Sequence, residues 1–313
     1  MRIILFGGFG FIGKNIAKYL LEKGYQVIIY DKQAVEKVPV HISFIRGEII
    51  NTSNIGKLLL KDDCVIHLAW NNVPANSWTN MNRSIFEDVI ISLDLFKTCI
   101  DKGIKKIIFI SSGGSVYGIP TYLPIDEQHQ TLPTSAHGIN KLMVEKYLYL
   151  LTKNTQTQGV ILRLSNPYGL YQKPFTGQGV ISTYLASILT GRKIELWGDG
   201  TAVRDYIYIK DAVKAIEKVI KYQGKKFVFN IGSGIGYSIN DIVNAVEQTT
   251  EKRLKRKYCN KYLVEVGTNI LNCSLAQKEL NWKVDTKLNE GISIMSNLWD
   301  PVSQTFDKNS KFE

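Results

Sequence analysis

The chain has 313 residues, 44% hydrophobic and 21% charged, which supplies a large core and excludes a disordered polymer. Lys and Arg number 39 against 28 Asp and Glu, a net charge of +11, so nucleic acid, an anionic membrane face and phosphorylated substrates all stand as partners to be weighed. The cysteines, Cys64, Cys99, Cys259 and Cys273, form no CxxC pair and have no histidine at metal spacing, which argues against a disulfide framework or metal site and for the reducing cytoplasm.

In chain order, short β-branched runs alternate with longer helical patterns. Strands are predicted at Arg2 to Phe6, Gln26 to Tyr30, His41 to Ile45, Cys64 to Leu68, Lys106 to Ile110 and Val160 to Leu164. Helices are predicted at Phe11 to Lys23, Ile85 to Asp101 and Ile139 to Leu151. This alternation is the pattern of an α/β parallel sheet flanked by helices. After Pro167 the chain turns Gly- and Pro-rich, through Gly169, Pro174, Gly177, Gly179 and Gly198-Asp199-Gly200, the mark of a smaller, loop-rich lobe. One more strand is expected at Phe227 to Ile231, and helices at about Ser238 to Thr250 and Thr286 to Leu298. The tail from Asp300 is polar. Glycines interrupt the apolar opening before it could serve as a secretion signal, and no uncharged apolar run reaches spanning length, so no transmembrane segment is expected.

The first strand runs into Gly7-Gly8-Phe9-Gly10-Phe11-Ile12-Gly13, a GxxGxxG turn that opens a helix. Such glycines allow a tight turn, close backbone approach to a pyrophosphate, and close packing of helix on strand, while the helix N-terminus offers free amides and partial positive charge. At the end of the second strand, Asp31 is placed to accept both adenosine ribose hydroxyls and to repel a 2′-phosphate, favouring NAD over NADP, with the neighbouring Lys32 weakening the preference.

Together with His67-Leu68-Ala69, Ser111-Ser112 through Val116-Tyr117-Gly118, Arg163 through Gly169, and Gly198-Asp199-Gly200 with Arg204-Asp205-Tyr206, these motifs resemble the extended short-chain dehydrogenase/reductase family. The resemblance is greatest to its NAD-dependent nucleotide-sugar 4-epimerases and covers Arg2 to about Trp299. It implies a Rossmann-type doubly wound parallel sheet, residues 1–170 plus 207–233, with a smaller mixed α/β substrate lobe at 171–206 plus 234–300 and a polar tail at 301–313. It further implies that NAD lies along Gly7, Gly10, Phe11, Ile12 and Gly13, then Asp31, Lys32, Glu48 and Ile49. Beyond these it would pass Leu68, Ala69, Trp70, Ser111, Lys141 and Asn166.

In this family a tyrosine in a YxxxK motif takes the sugar 4-hydroxyl proton while hydride passes to NAD; the keto sugar then turns and takes hydride back on its other face. Here Ser135-Ala136-His137-Gly138-Ile139-Asn140-Lys141 occupies that segment, so Lys141 is kept and the tyrosine position is His137. An imidazole with an ordinary pKa near 6.5 is able to serve as a base. The helper hydroxyl of the family falls on Gly113, leaving Ser115, and then Ser112, as substitutes. No acid stands at Gly113, Gly114 or Ser115, which weighs against the family's dehydratases and decarboxylases.

For substrate, the resemblance implies contacts from Tyr117, Asn166, Gln178, Gly179, Val180 and Arg204, with Glu265 in a degenerate RxxD. From the residues alone a packed aromatic is the favoured reading of Tyr117, whereas for Arg204 the diphosphate contact is favoured over an ion pair with Asp205 or Asp211. A guanidinium suits diphosphate because its forked donors meet two oxygens at once. Six cations against one anion fall in Glu251 to Lys261, readable as a diphosphate contact or a solvated turn. No nucleic-acid motif accompanies that charge. Helices 85–101 and 139–151 carry apolar residues on more than one stripe, and the resemblance makes them a homodimer interface. Function is thus expected as an NAD-dependent UDP-hexose or UDP-N-acetylhexosamine 4-epimerase. A silent NAD- or sugar-nucleotide-binding relative and a nucleotide-sugar reductase are the alternatives.

Overall fold

The computed structural model describes residues 1–33, 42–72, 81–259 and 266–300. Its first half runs β1 (Arg2–Phe6), α1 (Phe11–Glu22), β2 (Gln26–Asp31), β3 (Ser43–Arg46), α2 (Thr52–Leu58), β4 (Cys64–His67), α3 (Met81–Ser84), α4 (Ile91–Asp101), β5 (Lys106–Ser112), α5 (Ala136–Thr152) and β6 (Gln158–Leu164). The second half runs β7 (Asn166–Tyr168), α6 (Val180–Thr190), β8 (Ile194–Trp197), β9 (Val203–Tyr208), α7 (Ile209–Lys221), β10 (Val228–Ile231), β11 (Gly236–Ser238), α8 (Ile239–Thr250), β12 (Arg256–Cys259), β13 (Thr268–Asn269), α9 (Ser274–Leu280) and α10 (Leu288–Asn297).

Seven parallel strands form the main sheet in the order β10-β6-β5-β4-β1-β2-β3, the Rossmann-type arrangement expected. Alternation along β1 sends Ile3 and Leu5 into one core with α1 and α7, and Ile4 and Phe6 into another with α2, α4 and α5. Burial on both faces is why these strands read as unbroken apolar runs. The order reverses between β1 and β4, opening a crevice at the carboxyl ends of the strands.

Several predicted bounds shift, and the helix expected from Ile139 begins at Ala136, which puts His137 in its first turn. The strand placed from His41 begins at Ser43, and His41 itself lies outside the described residues. The single helix expected from Ile85 to Asp101 opens with a π-helical turn, Ile85–Ile90, in which the Ile91 amide reaches back to the Phe86 carbonyl. That wider turn buries Asp88 beside Val89 while Ile85, Phe86 and Ile90 stay exposed.

The smaller lobe is organised by β9, which pairs antiparallel with β11 and parallel with β13 and β7. Asp205 on β9 is fully buried and accepts hydrogen bonds from Ser233 N and Oγ, Gly234 N and Leu271 N, binding the strand to both neighbouring loops. The first apolar core continues without a break from Ile3 to Met295, so the lobe packs on the main sheet.

Candidate active site

The β1–α1 turn is a cradle that only glycine can line. Gly7 has φ +84°, and a Cβ there would meet the Ala69 amide nitrogen at 2.6 Å. A Cβ on Gly13 would meet the Gly8 carbonyl oxygen at 2.5 Å, so the helix sits against the turn as closely as backbones allow. No side chain caps α1 at Gly10, which leaves its first amides for a ligand. Asp31, the last residue of β2, is 7% exposed and accepts from Phe9 N at 3.0 Å and Gln33 N at 3.0 Å. Leu68 N and Ala69 N both donate to Phe6 O at 2.9 Å, which brings the ends of β1 and β4 together. These groups fit a dinucleotide: its diphosphate belongs at the open amides and its ribose at Asp31. Lys32 is exposed and donates to Asn71 Oδ1 at 2.7 Å, while Glu48 is exposed and Ile49 packs on the second core.

Two strands along the sheet from β1, the start of α5 is pressed against the turn after β5. A Cβ on Gly138 would strike the Ser115 carbonyl, so the helix can approach only because glycine follows His137. Ser112 and Ser115 meet there, Oγ to Oγ, at 3.1 Å. Gly113 could not bear the expected hydroxyl, since its Cβ would lie 2.6 Å from Leu271 Cδ1.

His137 is 7% exposed, with its Nδ1 2.9 Å from the Asn72 carbonyl oxygen and its ring edge-on to Trp70. A carbonyl only accepts, so Nδ1 carries the proton and the lone pair is on Nε2. Burial, then the charge of Lys141, lowers its pKa to about 4, against a smaller opposing effect of the Asn72 carbonyl. The ring is therefore neutral at pH 7. One helical turn on, Lys141 donates to Ile110 O at 2.8 Å and lies 3.7 Å from the Trp70 ring centre. Burial lowers the Lys141 ammonium to about 7, with Asp88 and Glu145 opposing. The buried Trp70 Nε1 has no acceptor among the described residues, as suits a wall awaiting a polar ligand.

Two expected contacts are corrected. Tyr117 has no exposed surface; its hydroxyl donates to Asn230 Oδ1 at 2.7 Å and accepts from Arg163 at 2.9 Å, so it is a packed aromatic closed to substrate. Ser111 turns its hydroxyl away from the crevice to Glu145, whose carboxylate also takes Arg163 at 2.6 Å in a buried pair. Ser111 faces away because alternate residues of β5 face opposite ways, and Tyr117, in the loop beyond β5, is held inward by Asn230 and Arg163.

From the smaller lobe, Asn166 opposes Tyr206 across β7 and β9, and its amide donates to Asp205 O at 2.9 Å. Arg204 donates to Val203 O at 2.8 Å and Gly267 O at 3.2 Å, and no carboxylate among the described residues pairs with it, in contrast to the ion pairs considered from sequence. Burial pulls its pKa down, a cost that an anionic ligand would relieve. Gln178 is exposed, with Gly179 and Val180 following it into the start of α6. The basic stretch turns Arg253 and Arg256 onto Glu247 of α8, and Lys261 and Glu265 lie outside the described residues. Sequence reasoning missed Asn72, Asp88 and Gln172. An acid amid Val89, Ile90 and Ile91 was the available signal for Asp88, whereas Gln172, with a buried and unpartnered Oε1 beside Gly179, gave none.

The family model described as the NAD dependent epimerase/dehydratase family matches residues 3–232. An Escherichia coli dTDP-4-dehydro-6-deoxyglucose reductase is 30% identical over 300 residues, covering 93% of this chain and 95% of the relative. A Bacillus subtilis UDP-glucose 4-epimerase is 27% identical over 321 residues, covering 93% and 94%. The solved structure of a Thermotoga maritima UDP-glucose 4-epimerase with UDP-glucose superposes with a TM-score of 0.90 at 31% identity, covering 95% of this chain and 98% of that one. With this match, and with its dinucleotide cradle at the switch point of a seven-stranded parallel sheet, the chain belongs to the NAD-dependent epimerase/dehydratase family.

Proposed function

We propose that this chain is an NAD-dependent nucleotide-sugar 4-epimerase acting on a UDP-hexose or UDP-N-acetylhexosamine, with His137 as the base. The observation that carries this reading is the neutral, Nδ1-protonated imidazole, whose free Nε2 stands one helical turn from Lys141 beside the strand-end crevice. When bound, NAD supplies a hydride acceptor that also returns the hydride. Nε2 of His137 takes the proton of the sugar 4-hydroxyl and keeps it until the hydride returns, so each cycle is proton-neutral. Ser112 and Ser115 hold the same oxygen, and Lys141, with its ammonium over Trp70, keeps positive charge beside the nicotinamide ribose. Arg204 and Asn166 take the diphosphate, Arg204 through donors that no carboxylate occupies.

The Escherichia coli relative supports a second reading, a 4-keto-sugar reductase. Such an enzyme must load a new proton onto its acid in every turnover, whereas the epimerase returns the proton it takes; His137 held at about 4 is a weak proton holder in either cycle, so the assay decides between them. The test is 4-epimerisation of UDP-glucose and UDP-N-acetylglucosamine, beside NADH-dependent reduction of dTDP-4-dehydro-6-deoxyglucose, in the chain as given and in His137→Ala and His137→Tyr. Epimerisation abolished in His137→Ala supports the proposal. Activity unchanged in His137→Ala removes His137 from the reaction, and activity only after restoring tyrosine marks a silent relative.

By this reading residues 1–170 with 207–233 hold the cofactor, and 171–206 with 234–300 close on the sugar nucleotide. We further propose a homodimer. Ile139, Tyr147 and Leu150 on α5, with Ile85, Phe86 and Ile90 on the adjoining π turn, leave large apolar side chains exposed, and a second copy would cover them. A monomer in sedimentation at micromolar concentration would contradict it. A cytoplasmic location accords with the free thiols of Cys64, Cys99, Cys259 and Cys273. No helix of the described residues is long and apolar enough to cross a membrane.

A further inference from the structure

We infer that Asp88 is a positioning residue that sets the tautomer of His137, by holding the 71–72 turn where the Asn72 carbonyl claims the Nδ1 proton. The inference rests on the reading of His137 as the base and adds what makes it one. A neutral imidazole can carry its proton on either nitrogen, and only one arrangement leaves Nε2 able to accept. The choice is made by a backbone oxygen in the segment after β4, where Asn71 and Asn72 are both held by one carboxylate. Asp88 Oδ1 accepts from Asn71 N at 2.8 Å and Oδ2 from Asn72 Nδ2 at 2.6 Å.

Asp88 is in turn fixed from behind. It is 2% exposed in the π-helical turn, its carbonyl accepts from Ser92 Oγ, and Ser92 Oγ meets His67 Nε2 at 2.7 Å. A carboxylate at this depth is costly to desolvate, yet its two oxygens are both spent on the same two-residue turn. A residue needed only for helix packing would be served as well by an apolar side chain. The chain of contacts instead ends, through Asn72, on the imidazole.

The test is histidine side-chain 15N NMR on the whole protein, with His137 assigned by its loss in His137→Tyr, in the unchanged chain and in Asp88→Asn and Asn72→Ala. The unchanged protein should show a protonated Nδ1 and a bare Nε2. Both variants should show a mixture of tautomers, and kcat for UDP-glucose should fall about five- to tenfold with KM unchanged, as the competent form becomes a minority. An Nε2-protonated ring in the unchanged protein overturns the inference, as does full retention of the Nδ1 proton in the variants. If Asp88→Asn does not fold, Asn72→Ala decides, since Asn72 is only half-buried. An intact tautomer lock in a protein with no epimerase activity would refute the function proposed for the site and leave the Asp88 linkage standing.

Discussion

The cofactor cradle and the base pocket are built by opposite means. The cradle is local: seven consecutive residues, Gly7 to Gly13, make a turn in which Gly7 and Gly13 are demanded by backbones 2.6 and 2.5 Å from where a Cβ would be. Around His137, by contrast, Trp70 and Asn72 from the segment after β4 and Ser115 from the turn after β5 converge on the start of α5, none close to it in sequence. A diphosphate needs only free amides and room, which one turn can supply. A base needs a particular protonation state, and that is a property of everything packed around it.

His137→Ala separates the two regions most sharply. Its kcat should fall by ~10²–10⁴, the usual contribution of a positioned acid–base group, while NAD released on denaturation stays at the wild-type amount. Retained turnover would show that the base lies elsewhere. Next in size is Glu145→Ala, which strands the buried Arg163 and should lower the unfolding free energy by about 3–5 kcal/mol in urea titration. A loss within error would mean that Tyr117 and solvent satisfy the guanidinium unaided.

Gly13→Ala attacks the other region. Backbone must move to admit the methyl group, and a cost of about 1–3 kcal/mol is expected with weakened NAD binding by calorimetry. Unaltered affinity would contradict the close-packed cradle. The most gradual effect concerns pH. Because the folded state holds the His137 pKa at about 4 and the unfolded state near 6.5, the unfolded chain binds more protons between those values. Stability from this group is therefore complete above 6.5 and lost as pH falls toward 4, with a slope of at most about 1.4 kcal/mol per pH unit. In His137→Tyr that share of the acid slope should vanish, and identical slopes in the two proteins would show that the ring is not buried as described.

Much of the fold could be read from periodicity, since strands covered on both faces must be apolar throughout and the helices between them need only one apolar side. Ile3 to Phe6, Ile107 to Ile110 and Val160 to Leu162 follow that rule. It fails at Ile85 to Ile90, where the apolar pattern is compatible with α and the backbone takes a π turn that carries Asp88 inward. It is silent on Ser111, whose face depends on the register of β5, and on Tyr117 in the loop beyond that strand; Ser111 donates to Glu145 and Tyr117 accepts from Arg163 of the same buried pair.

Read alone, the sequence determines the dinucleotide fold and points to Asp31 and to His137, four residues before Lys141, as candidate site residues, since all of these are contiguous or evenly spaced along the chain. Which imidazole nitrogen is bare, how far burial lowers its pKa, and that Arg204 has no carboxylate partner among the described residues are decided only by packing. Each depends on groups distant in sequence, Asn72 and Asp88 for the first, Lys141's buried charge for the second, and the carbonyls of Val203 and Gly267 for the third.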